Sequence, residues 1–172
     1  MNTKNNKRRR ESTERIKNAF LESLRSKEIS KIKVSDICKA ANINRSTFYA
    51  NYLDIYDLAD KIFADLQKEV SNVFDLKNFP AQSQNEFLEL LRHIKKHQEL
   101  YGFYFALGYE SRDLQLIEFS DLNVSIREDT FDYHIEFFKN GFNAIVKMWL
   151  KKGCKESPEQ IFDILLYEYR GR

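Results

Sequence analysis

The sequence predicts an all-α protein. Only two prolines and five glycines occur in 172 residues, so few positions interrupt regular structure. Apolar residues recur every three or four positions along most of the chain, whereas the alternation typical of strands is scarce. Hydrophobic residues make up 42% of the chain, which is enough to build a core in a protein of this length.

The amino-terminal segment is basic and then amphipathic. MNTKNNKRRR has no apolar residue after Met1, and we expect a disordered arm over residues 1–10. From Glu11 a helical stripe predicts a first helix through Ile16, Phe20 and Leu24.

KVSDICKAA then predicts a short second helix with Ile37 and Ala41 on its buried side. Asn42 follows, where the chain must turn sharply, and Asn tolerates the left-handed conformation better than most residues.

A third short helix is predicted within NINRSTFYANY, residues 42–52. Asn44 is a favourable N-cap, and Ile43 and Phe48 have the spacing of a hydrophobic staple. This pair places Phe48 in the core and leaves four polar side chains on the open side: Arg45, Ser46, Thr47 and Tyr49. Two short helices joined by a tight turn, the second exposing such residues, are typical of a helix-turn-helix.

The remaining helices have recognisable ends. Asp54 caps a fourth helix, with Leu53 and Leu58 as a second staple pair. Later helices are predicted at 85–97, 99–106, 114–125, 129–152 and 157–169. The last begins with a capping box from Ser157 to Gln160, after Gly153 ends its predecessor. We divide the chain into a basic arm (1–10), a helix-turn-helix domain (11–55) and a helical effector or dimerisation domain (56–172).

Charge is distributed unevenly between these parts. Residues 1–53 carry thirteen Lys or Arg against five Asp or Glu, a net charge of +8. Residues 54–172 carry fifteen against twenty-one, a net charge of −6, and the whole chain is at +2. A basic first third on an acidic body suggests a module that faces a polyanion, although a basic surface can also serve solubility alone.

The helix over 129–152 is apolar on two sides. One line runs along Phe131, Ile135, Phe138, Phe142, Ile145 and Trp149, and a second along Phe137, Gly141, Ala144 and Met148. The first line can meet the core of its own chain. The second, in which Gly141 and Ala144 permit close approach, predicts a dimer interface across a two-fold axis; the alternative is a central helix wrapped by its own chain.

With these features in place, VSDICKAANINRSTFYANYLDIYDL resembles the DNA-binding signature of the TetR family of bacterial transcriptional regulators. The match covers about residues 10–66, and the carboxy-terminal half fits more loosely. The resemblance implies dimerisation through a four-helix bundle of the last two helices. It also implies the DNA-binding residues, namely Lys33, Ser35, Arg45, Ser46, Thr47, Tyr49 and Asn51.

Several positions depart from the family pattern. Ile55 stands where the family usually has a Lys that contacts the phosphate backbone, and an Ile side chain cannot make that contact. Lys33 replaces a usual Thr, which removes a helix cap and adds a charge, while Asn42 and Cys38 replace a usual Gly and Ala. The basic run from Lys7 to Arg10 can add unspecific attraction or enter the minor groove.

No other cluster in the sequence predicts metal binding, catalysis or a cofactor. His93 and His97 lie one turn apart but lack a third ligand, so no metal site is expected. The aromatic group in LYGFYFALGY can line an effector pocket or form plain core. There is no phosphate loop, nucleophile elbow or acid–base pair, so neither catalysis nor a cofactor is expected.

The sequence thus leads to a hypothesis with one main alternative. We expect a cytoplasmic, dimeric transcriptional regulator, in such families more often a repressor, that reads a near-palindromic duplex and responds to an unidentified small-molecule effector, if it has one. No membrane span or signal peptide is predicted. The alternative is a co-regulator of the same fold that acts through protein contacts with weak or no DNA binding, which the Ile55 departure favours.

Overall fold

The computed structural model describes residues 4–73, 83–111 and 130–169. The regular elements in these ranges are helices, and the all-α prediction is confirmed. They are α1 (Lys4–Leu24), α2 (Val34–Ala40), α3 (Arg45–Tyr49), α4 (Ile55–Val73), α5 (Ser83–Lys96), α6 (Gln98–Ala106), α7 (Phe131–Lys151) and α8 (Pro158–Tyr169), with 3-10 turns at Ile29–Lys31 and Tyr109–Ser111. The helix predicted over 114–125 lies outside the described residues.

The chain divides into two compact units, Met1–Asp65 and Leu66–Arg172, so the division falls within α4. From the sequence we expect this limit between residues 55 and 56, where the same helix begins. The two halves of this helix therefore belong to different units. In its first half Leu58 and Phe63 are fully buried, and in its second half Val70 is.

In the first unit, α1 packs on α2 and α2 packs on α3. Each helix contributes fully buried apolar side chains to one small core: Ile16, Phe20, Ile37, Phe48, Leu58 and Phe63. Burial of a large apolar side chain stabilises the fold by roughly 1.5–3 kcal/mol. This core therefore sets the orientation of α3, which is too short to be stable by itself.

Two local predictions in this unit are wrong. The helix α1 begins at Lys4, so residues 4–10 are helical and not a disordered arm. Lys and Arg are good helix formers, and extending a helix already anchored by Ile16 and Phe20 adds a hydrogen bond for each residue fixed. Leu53 is 79% exposed, so it does not pack against Leu58 as a hydrophobic staple requires.

Two of the three predicted turn and cap residues in this unit are confirmed. Asn42 has φ +50°, the left-handed conformation expected of it. The Asp57 N–H donates to Asp54 Oδ1 at 2.8 Å, which confirms Asp54 as the cap of α4. Asn44 has the extended backbone of an N-cap, but its side chain makes no capping hydrogen bond. The start of α3 therefore depends on packing of Phe48 more than on a cap.

In the second unit, α5 packs against α8, and α6 packs against both α5 and α7. The junction of α7 and α8 is tightly bonded. The Cys154 N–H donates to Trp149 O and the Gly153 N–H to Leu150 O, both at 2.9 Å, with Gly153 at φ +73°. These are the two bonds of a Schellman motif, and they confirm Gly153 as the end of α7.

The capping box of α8 is also confirmed. The Gln160 N–H donates to Ser157 Oγ at 3.2 Å, and the Ser157 N–H donates to Gln160 Oε1 at 2.8 Å. The indole Nε1 of Trp149, which is 1% exposed, donates to Glu156 O at 3.2 Å. The chain reversal between the two helices is thereby tied to the core of the unit.

Candidate nucleic-acid interface

The short helix α3 separates its side chains into two groups. Phe48 is fully buried, whereas Arg45 and Ser46 are exposed and Tyr49 is 55% exposed. Thr47 is half-buried. The polar residues predicted to lie on the open side of α3 therefore include three that are freely accessible.

Aromatic contacts hold Tyr49 without burying its hydroxyl. The Phe48 and Tyr49 ring centroids are 5.6 Å apart with an interplanar angle of 85°, an edge-to-face arrangement. Tyr52 contacts the same Phe48 ring at 5.5 Å. The Tyr49 ring therefore contacts a buried phenyl group while more than half of the Tyr49 surface stays exposed.

The turn before α3 is tied to the helices on either side of it. The Ile43 N–H donates to Cys38 O at 3.0 Å, which closes the end of α2. The carbonyl of Asn42 accepts a hydrogen bond from Arg15 Nη1 at 3.4 Å, which links the turn to α1. Burial raises the pKa of the Cys38 thiol, so this side chain remains a neutral packing group beneath the turn.

The side chain and the backbone carbonyl of Asn51 are hydrogen-bonded within the protein. Its Oδ1 accepts from Arg9 Nε at 2.9 Å, and its Nδ2 donates to Thr47 O at 2.8 Å. Its backbone oxygen accepts from Lys61 Nζ at 2.9 Å. Asn51 thus connects α1, the last turn of α3 and α4.

Lys61 extends the same network. Its ammonium group lies 2.8 Å from Asp57 Oδ2 and 5.3 Å from the centroid of the Tyr52 ring. The hydrogen bonds that Asp57 accepts from Lys61 and from the Leu53 N–H hold the pKa of that carboxyl below its usual range. The residues that follow α3 are therefore fixed to the first turns of α4.

The start of α2 carries the other two predicted contacts. Lys33 is exposed at the N-cap position and makes no side-chain capping bond, as expected of Lys in place of Thr. Ser35 is half-buried, and its Oγ is 3.5 Å from Asp36 Oδ1. Lys27 Nζ lies 3.6 Å from Asp36, so the carboxylate in this first turn is partly neutralised.

Ile55 departs from the family pattern in position as well as in charge. It is 5% exposed and belongs to the core of the first unit. Its neighbours are at the surface instead, with Leu53 79% and Tyr56 53% exposed. The position that usually supplies a cation contributes an apolar core contact here.

On α7, all four residues of the predicted dimer interface lie at the surface. Phe137 is 74% and Met148 52% exposed, and Gly141 and Ala144 are also exposed. The opposite side of the helix is buried through Phe142, Val146 and Trp149, of which Val146 is absent from the predicted line. The predicted line members Phe131 and Ile135 have no described side chains.

Three of the aromatic side chains in LYGFYFALGY form core, whereas Phe103 and Phe105 are half-buried. Tyr101, Tyr104 and Tyr109 are each at most 2% exposed, with ring centroids 6.5 Å and 6.1 Å apart in sequence order. Burial raises the pKa of Tyr101 and of Tyr104 well above that of a free tyrosine, so both phenols stay protonated. The arrangement favours the plain-core interpretation of these three residues over a ligand pocket.

The rings of His93, in α5, and His97, which follows that helix, lie close together at an angle of 38°. Their ring centroids are 4.6 Å apart, and His93 Nδ1 is 2.9 Å from the Tyr101 hydroxyl. Burial, with a smaller effect of His97, lowers the pKa of His93 against the opposing pull of Glu69, whose carboxylate is 3.7 Å away. In the described part of the chain, no group of three or more His, Cys, Asp or Glu is placed to hold a metal ion.

Sequence reasoning missed the role of Arg9 because it treated residues 1–10 as disordered. Arg9 and Asn51 are 42 positions apart, and no local pattern connects them. The Asp57–Lys61 pair, by contrast, has the i,i+4 spacing of a helix salt bridge and was readable from the sequence. No pattern in the sequence predicts that Tyr56 is exposed, because its exposure depends on how α4 is rotated.

Comparisons with known proteins agree with this architecture. A family model described as a transcriptional regulator C-terminal region matches residues 81–167. Over 130 residues the chain is 30% identical to the HTH-type dhaKLM operon transcriptional activator DhaS of Lactococcus lactis subsp. lactis (strain IL1403). That alignment covers 74% of this chain and 68% of the Lactococcus protein.

Solved structures share the fold at lower identity. The TetR transcriptional regulator from Streptococcus agalactiae 2603V superposes with a TM-score of 0.66 at 24% identity, covering 96% of this chain and 97% of that one. The dihydroxyacetone kinase operon activator DhaS gives 0.64 at 24% identity, covering 92% and 96%. The fatty acid degradation regulator FadR from Bacillus halodurans gives 0.59 at 16% identity, covering 94% and 97%. None of the helices in the described ranges is long and apolar enough to cross a bilayer.

Proposed function

This chain belongs to the TetR family of transcriptional regulators, and we propose that it acts as a dimer that reads a near-palindromic duplex through α2 and α3. One observation carries the proposal. The buried Phe48 holds a helix whose Arg45, Ser46 and Tyr49 are accessible at the surface. These groups belong to a segment, residues 1–53, with a net charge of +8.

Each accessible group has a distinct role toward DNA. The guanidinium of Arg45 can bond a guanine edge bidentately, and the Ser46 and Thr47 hydroxyls can bond bases or phosphates. Tyr49 offers a neutral hydroxyl to a phosphate. Lys33 and Ser35 meet the backbone from the start of α2. Asn51, the remaining residue of the predicted set, has both polar side-chain atoms bonded within the protein and supports α3 indirectly.

Dimerisation is the second part of the proposal. The exposed line on α7, defined by Phe137, Gly141, Ala144 and Met148, supports an interface between two copies of the chain. Exposed apolar side chains on α8, Ile164 and Tyr167, can extend it into a four-helix arrangement. Two reading heads related by a two-fold axis match a palindromic site one helical turn apart.

The sign of regulation has two candidates. Repression is the expectation from the sequence. The Lactococcus relative, however, is named an activator, which favours activation as a second candidate for this chain. A reporter fused to the regulated promoter, measured with and without the protein, separates the two by the direction of the change.

The proposal is tested by binding to the DNA upstream of the chain's own gene across a salt series. A regulator of this kind should prefer one sequence over random duplex by roughly 10³-fold or more, with affinity falling steeply as salt rises. Tyr49→Phe should weaken all sequences alike, by about threefold to tenfold per subunit, because one hydroxyl bond to phosphate is lost.

Two results oppose parts of this proposal. A wild-type protein that shows neither sequence preference nor salt dependence supports the co-regulator alternative. A Tyr49→Phe effect confined to one base position contradicts the phosphate role of Tyr49. In both experiments the thermal melting curve serves as the control, since the Tyr49 ring and its contact with Phe48 remain.

A further inference from the structure

A cleft lies between α1 and α3, beside the accessible face of α3. We call it the α1–α3 cleft. Its volume is about 540 Å³, and its walls include Arg8, Arg9 and Ser12 on one side and Ser46 and Thr47 on the other. The cleft exists because α1 is helical from Lys4, which carries the basic residues alongside the helix-turn-helix.

The electrostatics of the cleft favour an anion. Two guanidinium groups line it, and none of the described residues along its walls is acidic. Within the described structure, the Arg8 side chain and the Ser46 and Thr47 hydroxyls make no hydrogen bond or ion pair. The unpaired Arg8 cation beside free hydroxyl donors suits an oxyanion, and an Arg fork fits phosphate geometry especially well.

Arg9 and Asn51 have a different part in the cleft. The bond from Arg9 Nε to Asn51 Oδ1 closes one end, and Asn51 passes the contact on to Thr47 through its Nδ2. These bonds set the separation of the two walls. Arg9 and Asn51 are therefore positioning residues, and Arg8 is the cation left to meet a ligand.

We propose that the α1–α3 cleft binds one backbone phosphate of the DNA duplex, held chiefly by Arg8. This inference rests on the proposed function, because Ser46 and Thr47 line both the cleft and the face that meets DNA. A duplex phosphate is the occupant that this continuity favours. The basic residues then act from a helix beside the phosphate backbone and do not enter the minor groove as a flexible arm.

The first test compares Arg8→Ala with Arg10→Ala over a salt series. Both substitutions remove one exposed charge from the same helix, but Arg10 does not line the cleft. Losing a phosphate contact should reduce the slope of log K against log salt by about 0.9 per subunit, roughly 1.8 for a dimer. We expect this reduction for Arg8→Ala and a markedly smaller one for Arg10→Ala.

The second test changes charge without changing size. Asn51→Asp keeps an acceptor for Arg9 and introduces a carboxylate in the cleft, but it gives up the Nδ2 donor to Thr47 O, so Asn51→Ala serves as the control for that lost bond. Asn18→Asp makes the same charge change on α1 outside the cleft. A carboxylate beside a bound phosphate should weaken binding to every duplex by about tenfold or more. Asn18→Asp should have a small effect.

The outcomes distinguish this inference from the proposed function. If the wild-type protein binds no duplex at low salt, both fail together. If it binds DNA but Arg8→Ala and Arg10→Ala change the slope equally, or Asn51→Asp and Asn18→Asp weaken binding equally, only the cleft is overturned, because diffuse charge then explains the effect. Melting temperatures should stay within a few degrees of wild type for the exposed arginine substitutions.

Discussion

Gly141→Leu should weaken the dimer while leaving the fold of each chain intact. A Cβ built at Gly141 meets no other atom of the described residues within 4 Å, apart from the neighbouring residues and helix backbone, and Gly141 lies on the exposed side of α7. Leu is also a better helix former than Gly by roughly 0.8 kcal/mol. The substitution should therefore leave the isolated chain folded and slightly more stable.

The expected loss is confined to the interface. Forcing a bulky side chain into a close helix contact costs about 1–3 kcal/mol, and a two-fold axis makes each substitution count twice. The dimer should weaken by roughly 2–6 kcal/mol, which is about 30-fold to 10⁴-fold in the dissociation constant. The variant should therefore dissociate into monomers at a protein concentration higher than the wild type does, by this same factor.

Light scattering over a dilution series measures the result. Gly102→Leu is a matched control, because a Cβ at Gly102 on α6 also meets nothing within 4 Å, and it should keep the dimer. Gly141→Ala should keep it as well, since a methyl group is tolerated at most close helix crossings. If Gly141→Leu has the mass of a dimer at every concentration, the interface lies elsewhere on the molecule.

Three further predictions test the core, a cap and a titrating group. Phe48→Ala should lower the free energy of unfolding by about 3–5 kcal/mol, because it removes a fully buried ring beneath α3. Urea denaturation followed by circular dichroism measures this loss of stability. The same substitution should abolish DNA binding. Ser157→Ala should destabilise by about 1 kcal/mol, since the Gln160 N–H loses its acceptor, seen as a lower midpoint of Trp149 fluorescence in urea. The pKa of His93 is lower in the folded than in the unfolded chain, so the unfolded chain binds a proton at this imidazole more readily. The free energy of unfolding should therefore fall as the pH drops through about 6.5, and His93→Gln should make that fall smaller.

Each of these has an outcome that contradicts it. A Phe48→Ala protein that still binds its duplex with wild-type affinity would show that α3 does not depend on this ring. An unchanged midpoint in Ser157→Ala removes the energetic role of the capping box. A His93→Gln protein with the same pH dependence between 7.5 and 5.5 assigns the titration to another group.

Local sequence determined the positions and ends of most described helices. Ser157 and Gln160, Asp54 and Asp57, and Gly153 act within one turn of the helix they limit, so their effect can be read from spacing alone. The left-handed Asn42 belongs to the same class, because the preference resides in the residue itself. The burial of Phe48 follows from periodicity once the helix is assigned.

Contacts between distant residues were decided by tertiary structure. Whether Leu53 faces the core, and whether Ile55 or Tyr56 reaches the surface, depends on the rotation of α4 against its neighbours, which apolar character alone does not specify. The Arg9–Asn51 bond requires α1 to remain helical beyond its apolar stripe and to pass beside α3. The sequence by itself therefore determined the helices and their breaks, because those depend on bonds one turn long. Only the packed structure decided which polar groups meet and which stay free, because that depends on distances between helices.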